Sequence, residues 1–270
     1  VEVKLTKVHH SREGEEMEAY LAVPPGEGPR PAVVVIQEIW GPDAHIQDMA
    51  VRFATSGYVA LAPDLYSRGG RPEALSETRI EEVKAFLDRV PPQAWWDEAA
   101  RNEALSKEDP EAAERIRGTM GALFGPRDED GMVNDIRAWI RWLRERAEVG
   151  GRKIATIGYC MGGSLSFRTA AAGEELGAAF VYYGSAPDEE AMAGIRCPVY
   201  GFYGEKDPRL TDAVPDVAKA MKAHGKMYEP VVYEGAPHAF FNDTRISFRP
   251  EAARRAWART IRLLDERLGA

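Results

Sequence analysis

Between Lys153 and Gly163 the chain reads Lys-Ile-Ala-Thr-Ile-Gly-Tyr-Cys-Met-Gly-Gly, an apolar strand-like run that ends in a Gly-x-Cys-x-Gly turn. A strand that passes at once into a helix holds its turn residue in a strained backbone, and side chains beside it would collide. Gly158 and Gly162 are the residues such a turn requires. Cys160 is then displayed above the edge of a sheet, with the N–H of Met161 aimed at the oxygen of any carbonyl the sulfur attacks. The helix start beneath favours negative charge on that oxygen and on a cysteine thiolate.

The rest of the chain supplies a sheet for this turn. Val3 to Val8 and Glu16 to Val23 flank a polar Ser-Arg-Glu-Gly turn and predict an antiparallel opening hairpin. After the Pro/Gly-rich connection Pro24 to Pro31, apolar runs recur at 32–36, 58–61, 153–159, 178–183, 199–203 and 227–233. Helical segments lie between them: Ile136, Trp139, Ile140, Leu143 and Ala147 share one face, as do Ala253, Trp257, Ile261, Leu264 and Leu268. Regions 45–56, 163–172 and 213–224 are also expected to be helical, with Pro215 tolerable only in a first turn. Strands alternating with helices predict an α/β chain with about eight mostly parallel strands and helices on both faces.

The 270 residues are read as a single domain, 1–270, interrupted by a stretch from Pro91 to Pro126 that is rich in Ala, Glu and Arg and carries Trp95 and Trp96. That stretch, 91–126, is expected to be a helical insertion, either a cap over the site or an extra layer or oligomer contact whose tryptophans are core. A net charge of −8 argues against nucleic acid or an anionic membrane as partner and leaves a small molecule. No apolar stretch is long enough to span a bilayer, and the first residues lack the apolar core of a signal peptide. The expected location is therefore cytoplasmic. Three Asn and three Gln are the kind of depletion found in heat-adapted proteins.

A cysteine nucleophile needs a base to take its proton and an acid to orient the base. Cys160, Asp207 and His238 occur in the order nucleophile, acid, histidine. Asp207, in Tyr-Gly-Glu-Lys-Asp, and His238, in Gly-Ala-Pro-His-Ala-Phe, each follow an apolar run, so both are expected at the sheet edge that carries Cys160. Glu205 competes with Asp207 for the acid role. Cys197, at a strand entrance, reads as a small buried hydrophobe. His9 and His10 lie beside the opening turn, His45 opens a helix and His224 reads as a helix cap or a surface cation. No metal-ligand spacing is visible, and the chemistry requires no cofactor.

Five separated motifs carry a resemblance to the dienelactone hydrolase family, over nearly the whole chain apart from 91–126: Gln-Glu-Ile-Trp-Gly (37–41), Ala-Pro-Asp-Leu-Tyr-Ser-Arg (62–68), Gly-Tyr-Cys-Met-Gly-Gly (158–163), Tyr-Gly-Glu-Lys-Asp (203–207) and His-Ala-Phe (238–240). The resemblance implies an α/β-hydrolase fold and a carboxymethylenebutenolidase-type activity in which Cys160, Asp207 and His238 cleave carboxylic esters or lactones through a thioester. It implies that Glu38 helps deprotonate the thiol, that Ile39 supplies a second oxyanion N–H beside Met161, and that Arg68 contacts a substrate carboxylate. A Glu38 that merely faces solvent is the alternative. Trp40, Tyr66 and Phe240 would line an apolar pocket or pack as core. The chain departs from the family at Asn242, where dienelactone-cleaving relatives carry a second substrate-binding arginine; Arg245, three residues on, is either its substitute or a surface residue. Two other readings stay open: a general carboxylesterase or acyl transferase on neutral esters, and a non-catalytic ligand-binding protein on a hydrolase scaffold. Oligomeric state is not legible.

Overall fold

The computed structural model describes residues 3–91, 94 and 97–269. In chain order its elements are β1 (Leu5–Arg12), β2 (Glu15–Ala22), β3 (Ala32–Ile36), α1 (Ala44–Thr55), β4 (Val59–Pro63), α2 (Glu77–Arg89), α3 (Glu98–Leu105), α4 (Pro110–Phe124), α5 (Glu129–Arg144), β5 (Ile154–Tyr159), α6 (Met161–Ala171), β6 (Ala178–Tyr182), α7 (Glu189–Met192), β7 (Val199–Gly204), α8 (Pro208–Thr211), α9 (Val214–Ala223), β8 (Tyr228–Tyr233) and α10 (Pro250–Leu268). They divide into two units, one formed by residues 1–65 and 129–270 and the other by 66–128.

The larger unit holds an eight-stranded sheet in the order β1-β2-β4-β3-β5-β6-β7-β8. The opening hairpin pairs antiparallel, and β2 joins β4 antiparallel. From β4 through β8 every neighbour is parallel. β3, β4, β5, β6 and β7 are buried at every position, which explains their unbroken apolar runs: a parallel strand covered on both faces has no polar side to alternate with.

Alternate residues of these strands face opposite layers. Val33, Val35, Ala155, Ile157, Phe180, Tyr182, Tyr200 and Phe202 pack with Ile46, Met49 and Phe53 of α1 and Ala256, Leu263 and Leu264 of α10. On the other face the Thr156 hydroxyl of β5 meets Ser166 of α6 at 2.9 Å, a polar pair satisfied inside the core. Pro215 sits in the first turn of α9, where its missing N–H costs nothing. α5 ends earlier than the periodicity of Ala147 suggests. The N–H groups of Arg146, Val149 and Gly150 turn back onto Leu143 and Arg146, and Val149 rather than Ala147 is buried.

The smaller unit is helical. Asp97 and Asp109 cap α3 and α4 by accepting backbone N–H groups, and Pro110 opens α4. Ile80, Val83, Phe86, Leu105, Ile116, Met120 and Leu123 are among its buried residues, and the Arg79 guanidinium bonds to the Arg115 carbonyl at 2.6 Å. Trp95 and Trp96 lie outside the described residues. Among the described residues no helix is long and apolar enough to cross a membrane.

Two glycine replacements should separate close backbone approach from ordinary helix propensity. A Cβ on Gly158 would overlap the Gly162 carbonyl, so Gly158→Ala should lose about 3 kcal/mol in urea unfolding. Gly121, in α4 with open space around it, should gain about 0.5 kcal/mol on replacement by Ala. Equal effects at the two positions would contradict this account.

Candidate active site

The turn after β5 is built as its glycines demand. Cys160 adopts φ 56° and ψ −116°, a conformation an L-residue holds only when its surroundings over-determine it. Those surroundings are on both sides: the Cys160 N–H donates to the Tyr182 carbonyl at 3.0 Å, and the Cys160 carbonyl accepts from Ser164 at 3.2 Å. A Cβ on Gly162 would run into the carbonyls of Ile36 and Gln37, and one on Gly163 into that of Tyr182. α6 therefore rests on the sheet backbone to backbone, and its first residue, Met161, is buried beside the sulfur-bearing turn.

Asp207 leaves β7 and His238 follows β8, and the two loops are laced together. Lys206 N–H donates to the Ala236 carbonyl at 2.9 Å, and Gly204 passes so close to Ala236 and Pro237 that a side chain would not fit. The result is a 2.5 Å contact between His238 Nδ1 and Asp207 Oδ2, with Arg209 3.4 Å from the other carboxylate oxygen. Glu205 is used elsewhere, accepting the Gly235 N–H at 2.8 Å, which separates the two carboxylates that the sequence left in competition.

The charges of this cluster support one another. Burial opposes the imidazolium of His238, but the Cys160 sulfur, to which the ring hydrogen-bonds, and Asp207 outweigh it and push His238 up to about 10. Burial likewise opposes ionised Asp207, and the His238 and Arg209 partners bring it below the usual carboxylate range. Cys197, by contrast, is buried without such support and its thiol is pushed up to about 12.

Glu38 does not face solvent. It is 2% exposed, and its carboxylate accepts from Asn242 Nδ2 at 2.7 Å and from the Tyr183 hydroxyl at 3.3 Å. Burial first, then the electrostatic influence of the neighbouring Glu38, pushes the Tyr183 phenol well above its ordinary range. Ile39 and Trp40 are buried in the loop that follows, and the Arg245 guanidinium lies 5.5 Å over the Trp40 ring. Phe240 is fully buried against Tyr183 and Tyr233, as core. Tyr66 and Arg68 belong to the smaller unit, where Arg71 lies over the Tyr66 ring and Arg68 is 3.9 Å from Asp128.

Two residues in this region were not singled out from sequence for the places they take. His45 is buried, 3.3 Å from Asp243 and edge-on to Tyr159, so it is a core histidine with a carboxylate partner. Tyr183 carries no motif signal; its φ of 39° after β6 turns the phenol toward Glu38. Cys160, Tyr183 and Ala239 are three of the four non-glycine residues with positive φ among the described residues, so the strain concentrates here.

Residues 17–268 match the family model described as "Dienelactone hydrolase family". The chain belongs to the dienelactone hydrolase family. It is a carboxylic ester hydrolase of that type on an α/β-hydrolase fold. Among dienelactone hydrolase relatives, it is 35% identical over 254 residues to a Saccharolobus solfataricus protein assigned as a carboxymethylenebutenolidase, covering 94% of this chain and 95% of the other. It is 29% identical to a Bradyrhizobium protein assigned as a 2-oxo-3-(5-oxofuran-2-ylidene)propanoate lactonase, covering 92% and 88%. A crystal structure of a Klebsiella pneumoniae protein assigned as a dienelactone hydrolase superposes with a TM-score of 0.73 at 27% identity, covering 96% and 98%.

The electrostatic coupling is measurable directly. His238 is raised by the sulfur as well as by Asp207, so in Cys160→Ala its imidazole should titrate at a lower pH than in the parent by NMR. An unchanged titration would show that the sulfur contributes nothing to the imidazolium.

Proposed function

We propose that Cys160 is the nucleophile of this hydrolase, with His238 its proton acceptor and Asp207 the acid that orients the imidazole. The observation that carries the reading is the 2.5 Å contact of His238 Nδ1 with Asp207, which leaves Nε2 for the sulfur on the strained turn. The thiol proton passes to Nε2, and the thiolate attacks the ester carbonyl. The N–H groups of Met161 and Ile39 hold the resulting oxyanion. Collapse forms the thioester, and the imidazolium returns its proton to the departing alkoxide or enolate.

Acylation also removes the sulfur's negative charge, one of the two supports of the imidazolium. The imidazole thereby becomes a base again when one is needed. It takes a proton from water, hydroxide equivalent attacks the thioester, and the acid leaves as the thiol is restored.

The substrate class proposed is carboxylic esters and lactones, as the names of the relatives suggest. Asn242 favours a second reading within that class, neutral esters: its side-chain amide is turned onto Glu38 and Thr244, so at the place of an anion-binding arginine the chain has a group occupied inside the protein. Hydrolysis of a neutral aryl ester and of a carboxylate-bearing enol lactone, with Cys160→Ala as the blank, tests both. We expect Cys160→Ala to lower turnover by roughly 10⁴-fold or more, with a covalent adduct at Cys160 on brief exposure of the parent to an activated ester. Parent-like turnover in Cys160→Ala would remove the nucleophile. Faster turnover of the neutral ester would select the second reading over lactones bearing a carboxylate.

A further inference from the structure

Positions 98, 101, 102 and 105 of α3 and 117, 120, 121 and 124 of α4 line one cleft in the smaller unit. Each set falls at i, i+3, i+4 and i+7, a single stripe of its helix. Stripes that face each other across a helix pair ordinarily close on apolar side chains. Here the α3 stripe is polar from Glu98 through Asn102, and the α4 stripe has a gap at Gly121, between Met120 and Phe124. A Cβ on Gly121 would meet nothing within 4 Å, and Phe124 is 45% exposed. The helices therefore leave a cleft of about 480 Å³, the size of a small-molecule site. α3 has eight residues and buries only Leu105, and a helix that short is marginal in water without a packed face. An occupant of the cleft supplies that face.

The lining also selects a charge. Two guanidinium groups, Arg101 and Arg117, stand against one carboxylate, Glu98, which favours an anion carrying a single charge. Arg117 pairs with Glu114 at 2.7 Å, but both side chains are more than half exposed. Water screens such a pair, so the guanidinium can exchange it for a carboxylate brought into the cleft.

We propose that the cleft between α3 and α4 is a binding site for a medium-chain monocarboxylate, its chain against Leu105, Met120 and Phe124 and over Gly121, its carboxylate on Arg101 and Arg117. Monocarboxylates are among the acids that ester hydrolysis releases, so the site takes a class of molecule that this enzyme's reaction produces. All of its residues belong to the smaller unit, and the inference does not depend on the role proposed for Cys160.

The test is isothermal titration of the full chain at neutral pH with octanoate, and with 1-octanol and octylamine as probes of the same length. Octanoate should bind, and octanol and octylamine should each bind roughly tenfold more weakly or less, the scale of one charge-assisted hydrogen bond. Gly121→Leu fills the cleft from its floor without touching the sheet and should remove octanoate binding while the far-UV circular dichroism stays that of the parent. Arg117→Gln, at an exposed position, should weaken octanoate roughly tenfold and leave octanol unchanged; it carries the test if Gly121→Leu does not fold. No octanoate binding by the parent, or octanol or octylamine binding as tightly as octanoate, would overturn the proposal. So would octanoate binding that ignores both substitutions, which would place the acid elsewhere on the chain. A dimer in sedimentation that Gly121→Leu dissociates, without octanoate binding, would give the cleft to a second copy of the chain instead.

Discussion

The seat of α6 on the sheet is a contact of backbone on backbone, and the arrangement of the site depends on it. Gly162 meets the carbonyls of Ile36 and Gln37 at the end of β3, Gly163 meets that of Tyr182 at the end of β6, and Gly158 meets Gly162 across the turn. With no side chain between them, the helix start arrives at the carboxyl edge of the sheet instead of a side-chain layer above it. Cys160 is the one residue left to bridge strand and helix, and it does so at positive φ with its amide and carbonyl both bonded. The conformation is costly in isolation, by roughly 1–3 kcal/mol, and is kept because everything around it is already fixed. Tyr183 and Ala239 repeat the device on neighbouring loops, each turning a residue next to the sulfur's surroundings.

Two buried carboxylates serve this edge under different conditions. Asp207 faces cations: the His238 ring at 2.5 Å and the Arg209 guanidinium at 3.4 Å, which offset the loss of water and hold it ionised. Glu38 receives hydrogen bonds from a phenol and an amide. The first arrangement favours positive charge on the imidazole; the second satisfies a carboxylate without supplying a counter-ion. Both lie within the same unit, on loops that leave different strands, so their spacing is set by the parallel sheet and its register.

Much of this was legible along the chain for local reasons. Five central strands announce themselves as unbroken apolar runs because both their faces are covered. The glycines around Cys160 announce the turn because only they permit its close approaches. Legibility failed where a residue's role is decided by a partner distant in sequence. Glu205 and Asp207 are two residues apart and chemically alike, and only the packing of the β8 loop sends one to a backbone N–H and the other to His238. Ala147 continues a helical stripe, yet the chain turns before it because the N–H groups of Arg146, Val149 and Gly150 find carbonyls one turn back.

The sequence by itself determined the alternation of strands and helices, the strained turn at Cys160 and the chain order Cys160, Asp207, His238 behind three apolar runs, since each is written in neighbouring residues through periodicity, steric permission or motif spacing. It also determined the family. Only the tertiary structure decided that Glu38 is buried, that Asn242 spends its amide on that carboxylate, that Tyr183 joins them and that His45 is a core residue paired with Asp243. Asn242 and Glu38 are 204 positions apart, and no local pattern records which donor a buried carboxylate will find. That choice is made when desolvation forces every buried polar group to take whatever partner the packed fold brings within reach.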